Sequence, residues 1–121
     1  MTDQQPASEA FDAADATRDI AEVPAVELIT TVAVHLMSSA AIHLGLAEEE
    51  GADALDLDEA RKVISALAGL LQGALPYLGD HHGRPLRDGL RSLQLAFREA
   101  STIPDPVGKG PGEEFTGPVF G

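Results

Sequence analysis

Twenty consecutive residues, Leu28 to Ala47, carry no formal charge, and this run (LITTVAVHLMSSAAIHLGLA) constrains the chain more than any other feature. A helix of about twenty apolar residues has the length of a bilayer span. Thr30, Thr31, His35, Ser38, Ser39 and His43 interrupt the run, acidic residues flank it, and no Trp, Tyr, Lys or Arg anchors its ends. Those features argue against a membrane helix. In a soluble protein, a helix apolar round most of its circumference is expected to be buried round most of it.

Helical spacing continues beyond this run. Pro24 suits a first helical position, where its missing N–H would have no partner anyway. At the other end, Gly45 can take the left-handed conformation and let Leu46 fold back near Ala41. Asp56-Leu57-Asp58-Glu59 has capping-box spacing and opens a second helix. Its apolar stripe is Leu57, Ala60, Ile64, Leu67, Leu71, Ala74 and Leu78, with Pro76 bending the last turn before Gly79. A third helix is expected to start around Arg84-Pro85, with Leu86, Leu90, Leu93 and Phe97 on one face, and to finish before Pro104. Strand alternation is absent. The chain reads as all-α: a helical hairpin plus a third helix, about 24–44, 57–78 and 85–101, in one domain over 24–101.

Two tails complete this plan. Residues 1–23 are polar, acidic and Ala-rich and are expected to lack a fixed fold, since they bury too little to offset ordering entropy. No basic segment precedes an apolar core there, so a signal peptide is not expected. Residues 102–121 are expected to be disordered as well, because from 104 onward half of the residues are Pro or Gly.

With 20 acids against 8 Lys and Arg, the net charge is −12, which argues against DNA and anionic membranes as partners. The charge is regional. Residues 1–22 carry six acids against Arg18, and residues 48–60 carry seven. Residues 61–101 reverse the sign, with six Lys and Arg against three acids. Binding to RNA or to a ribosome is therefore left open. No Cys is present, so thiolate chemistry and disulfides are excluded.

Two helices of about twenty residues cover roughly two sides of the first helix and leave the rest to another copy of the chain. A homo-oligomer, most simply a dimer, is expected. Ser65, Gly69 and Gly73 form a small-residue stripe on the second helix. Each interior Gly costs about 1 kcal/mol relative to Ala, so close helix packing is expected there, against Ala33, Ala40 and Ala41 or against a second chain.

Candidate sites are sparse. His35 and His43 stand two turns apart, about 12 Å of rise, too far for one ion to bridge within a chain. Each reads first as a core His bonded to a hydroxyl or carbonyl, and second as a metal or ligand contact across an oligomer interface. Asp80-His81-His82 reads as a solvated, Gly-flanked loop able to pick up adventitious metal. The acids of 48–59 do not keep calcium-loop spacing. Arg84, Arg87, Arg91 and Arg98 form a stripe on the third helix, either a solvated face, a face neutralised by the chain's own acidic loop or N-terminal tail, or a dock for an acidic partner or RNA. Of four Phe residues, Phe11, Phe115 and Phe120 lie outside the helices. Aromatic rings are typical anchors, so the segment Glu113 to Gly121 reads as a docking peptide for another protein or for its own oligomer. No nucleophile–base pair, phosphate loop or paired-carboxylate motif is placed by the sequence, so neither an enzyme nor a cofactor is expected.

The segment from Leu28-Ile29 through Ala40-Ala41-Ile42-His43-Leu44-Gly45-Leu46, an acidic loop, and Leu57-Asp58-Glu59-Ala60-Arg61-Lys62-Val63-Ile64 resembles the bacterial domain of unknown function 1844 family over about residues 24–99. The chain departs from that pattern after Leu71, and its tails resemble additions of an actinobacterial type. The resemblance implies a small cytoplasmic helical protein without an established activity. The expected role is a self-associating, non-enzymatic protein acting through protein contacts. The alternatives are a metal- or ligand-binding regulator using His35 and His43, or a ribosome-associated factor using the arginine stripe.

Overall fold

The computed structural model describes residues 23–47 and 51–120. The acidic first tail, Phe11 within it, and Glu48 to Glu50 lie outside the described residues. Three main helices pack together: α1 (Ala25–His43), α2 (Leu57–Ala74) and α3 (Asp80–Ala100). A 3₁₀ turn, Gly51–Ala54, lies between α1 and α2, and a second, Leu75–Tyr77, follows α2. A short helix, α4 (Glu113–Thr116), lies in the C-terminal segment.

Local chemistry sets the helix ends. Gly45, at φ 75°, reverses the chain after α1. The Leu46 N–H then donates to Ala41 O and the Gly45 N–H to Ile42 O, each at 3.0 Å, which is the anticipated reversal. Asp56 caps α2 by accepting the Glu59 N–H on Oδ1 at 3.2 Å. The return half of a capping box is not made: the Asp56 N–H donates instead to His43 O at 2.7 Å, and Glu59 pairs with Lys62. That tertiary bond ties the start of α2 to the end of α1, so the two helices form an antiparallel hairpin.

α2 is the central element. Ala60, Ile64, Leu67, Ala68, Leu71 and Ala74 are buried on it, against Leu86, Leu90, Leu93 and Phe97 of α3. The periodic stripes of both helices are the core. Pro76 ends α2 in a 3₁₀ turn, as its position predicts.

α3 departs from expectation at its start. It begins at Asp80, so Asp80-His81-His82-Gly83 is its first turn, and Pro85 lies inside it. Gly83 is buried, and a Cβ there would lie 3.1 Å from Leu75 Cδ2, so glycine lets this turn press against the end of α2. Asp80 in the first turn complements the helix dipole. Pro85 is exposed, where water can take the carbonyl its missing N–H leaves free.

α1 departs in the opposite sense. Only Ala33 and Ala40 are buried along it, while Leu28, Val32 and Val34 are each more than two-fifths exposed. One face meets α2 and α3, with Met37 occupying the space a side chain at Gly89 would fill. The rest of the circumference is uncovered in a single chain. By length and composition α1 is the described helix that could cross a membrane.

Residues 102–121 are the main correction. Expected to be disordered, they fold back over 102–120 as an ordered strap across α2 and α3, with Pro111, Gly112, Glu113 and Val119 buried. Positive φ at Gly108, Gly112 and Gly117 makes its turns, so its glycines and prolines act as hinges of a fixed path.

Candidate functional site

The strap leaves α3 at Ser101 and runs back along the seam between α2 and α3. Its first anchor is Asp105, which accepts Arg61 Nη2 on both oxygens at 3.0 and 3.1 Å. The same guanidinium carbon lies 4.9 Å from the centre of the Phe97 ring, so Arg61 joins strap, α2 and α3. Next, Gly112 passes so close to α2 that a Cβ would lie 2.8 Å from Ala68 Cβ. Buried Gln94 of α3 donates its amide to Pro111 O and Thr116 Oγ1, both at 3.1 Å.

Glu113 fixes the final turn from inside. It is 7% exposed, and its Oε1 accepts the Gly110 N–H at 2.6 Å while Oε2 accepts the Val119 N–H at 2.7 Å. A carboxylate with donors on both oxygens satisfies the burial requirement of a charge. Phe115 then lies over Gly69, with ring atoms 3.4 Å from the position of a Cβ. Arg91 donates to Phe120 O near the end of the strap.

The strap thereby forms one wall of an open groove of about 580 Å³. Leu71, Leu75, Leu90 and Phe115 supply apolar surface, and Arg87 and Arg91 supply cationic groups. Among the described residues, no carboxylate and no residue of α1 line it. Among the described residues the ion pairs are Arg61–Asp105 and Lys62–Glu59, so the arginines of α3 have no carboxylate partner there. The exposed Lys62 is held above the usual lysine range by its hydrogen bond to Glu59 and by that carboxylate's charge.

The predicted site residues are distributed unevenly. Arg87 and Arg91 meet Phe115 at the groove, whereas Arg84 is exposed one turn earlier and Arg98 is half-buried toward the strap's start. Phe115 and Phe120 belong to a segment docked on its own chain. On the Ser65–Gly69–Gly73 stripe, Gly69 lies under Phe115 of α4, and a Cβ on Gly73 would meet nothing within 4 Å. His35 is exposed, and His43 is half-buried with no hydrogen-bond partner on Nδ1. His81 and His82 are exposed on the first turn of α3, their rings edge to face at 5.2 Å. Among the described residues no three His, Asp or Glu side chains gather in a metal-binding group. Sequence reasoning missed Gln94 and Glu113, whose polar types carry no signal of burial.

These features define a small all-helical module, three packed helices braced by a C-terminal strap. A family model described as a domain of unknown function (DUF1844) matches residues 25–99, more than half of the chain, and the chain belongs to that family. The match spans α1, α2 and nearly all of α3, and the strap lies beyond it. No curated protein and no solved structure matches the chain.

Proposed function

We propose that this protein is a non-enzymatic, self-associating helical module that works through protein contacts, with the outer face of α1 as its self-association surface. The observation that carries this reading is the exposure of Leu28, Val32 and Val34 on a helix whose burial is confined to Ala33 and Ala40. Leu28, Val32, His35, Ser39 and Ile42 follow steps of four and three, the spacing of a helix–helix seam. A second copy of α1 laid along that seam removes the exposed apolar surface from water, at about 25 cal/mol per Å². Small Ser39 allows close approach, and the His35 ring can hydrogen-bond across the seam.

Sedimentation velocity of the untagged protein at micromolar concentration tests this. The expected species has twice the 12.6 kDa chain mass. Val32→Glu should give a monomer with unchanged helicity, because Val32 faces solvent within the chain. A monomeric parent protein would overturn the proposal.

A further inference from the structure

We propose that the groove between α2, α3 and the strap binds an acidic segment with an aromatic anchor, and that its occupant is the chain's own residues 1–22, docked within the same molecule. The groove has an apolar floor and two guanidinium groups, Arg87 and Arg91, and no carboxylate among the described residues that line it. Arg91 spends one donor on Phe120 O, a neutral acceptor, and neither arginine is paired with a carboxylate among the described residues. A complementary ligand is therefore acidic and carries a large apolar side chain.

Residues 1–22 have that chemistry. They carry Asp3, Glu9, Asp12, Asp15, Asp19 and Glu22 against Arg18 alone, with Phe11 beside Asp12. The competing acidic stretch, Asp53 to Glu59, lies at the wrong end of the molecule. It precedes and starts α2, next to His43, whereas the groove is lined by Ala68 to Pro76 at the far end.

Topology puts the start of α1, where residues 1–22 join it, at the correct end. The antiparallel hairpin of α1 and α2, each about 28 Å long at 1.5 Å per residue, sets Pro24 level with the end of α2. No described residue of α1 lines the groove, so the tail has to cross about two helix diameters, or roughly 20 Å. The chain from Phe11 to Val23 spans up to about 40 Å when extended, so Phe11 reaches the groove with slack. A segment already tethered to its site is favoured over a free peptide by its high effective concentration.

The full chain tests this through Phe11→Trp, which introduces its sole indole. Expected are blue-shifted emission and protection from acrylamide quenching, both unchanged on hundredfold dilution. Protection should be lost with Arg87→Glu and kept with Arg87→Lys, while circular dichroism stays constant because Arg87 is exposed. An indole that emits as fully solvated, or protection indifferent to Arg87→Glu, overturns the proposal. Protection that falls with dilution overturns docking within one molecule and assigns the groove to a second copy.

Discussion

Replacing Glu113 by Ala should release the strap while leaving the three helices folded. The carboxylate accepts two backbone N–H groups, from Gly110 at 2.6 Å and Val119 at 2.7 Å. Hydrogen bonds to a charged group contribute about 1.5–3 kcal/mol each, and an unsatisfied buried donor costs about 1–3 kcal/mol. The half-exposed Gly110 N–H finds water after the substitution. The Val119 N–H lies in a buried residue, and its loss dominates. Relief from burying a charge offsets part of the effect, leaving about 2–4 kcal/mol in the free energy of opening the strap. At 1.4 kcal/mol per decade this corresponds to roughly 30- to 700-fold faster amide exchange at Val119. Exchange at Ile64 and Leu67 in the core of α2 should rise by no more than the same factor and stay far slower than at Val119, since those amides open only with the helices. Glu113→Gln keeps one acceptor oxygen and should give about half the free-energy change. Unchanged protection at Val119 in both variants would refute the idea that this buried carboxylate holds the strap.

Three further outcomes probe the same architecture. Gly112→Ala meets two obstacles, a φ of 77° and a Cβ 2.8 Å from that of Ala68. It should weaken strap docking by about 2–4 kcal/mol, read as exchange at Thr116 and Val119. Asp56→Ala removes the acceptor of the Glu59 N–H and should cost about 1 kcal/mol, seen as a lower urea midpoint at constant slope. Leu67→Ala opens a cavity at a fully buried position and should cost about 2–5 kcal/mol by the same measurement.

The helices were legible in the sequence because their signals are local. Steps of three and four named Ile64, Leu67, Leu71, Leu86, Leu90, Leu93 and Phe97 as core, and all are buried. Gly45 and Asp56 marked their ends because a left-handed turn and a side-chain cap need particular residues within a few positions. The start of α3 was missed because Pro85 reads as a boundary, although a proline on an exposed face is tolerated there. The groove was only half legible. Arg87, Arg91 and Phe115 stood out as candidates, but nothing in their spacing brings position 115 against positions 69 and 91.

The length and nearly charge-free character of α1 and the packing faces of α2 and α3 were determined by the sequence itself, since each depends on residues within one or two turns. Tertiary structure decided how much of α1 the other described residues cover, and it decided the fate of residues 102–120. Pro and Gly there fit either a loose tail or a chain of tight turns. The choice was made by contacts 17 to 44 residues apart: Gln94 with Pro111, Arg91 with Phe120, and Arg61 with Asp105. Such contacts depend on where the helices place the partners. Local composition carries no record of that placement.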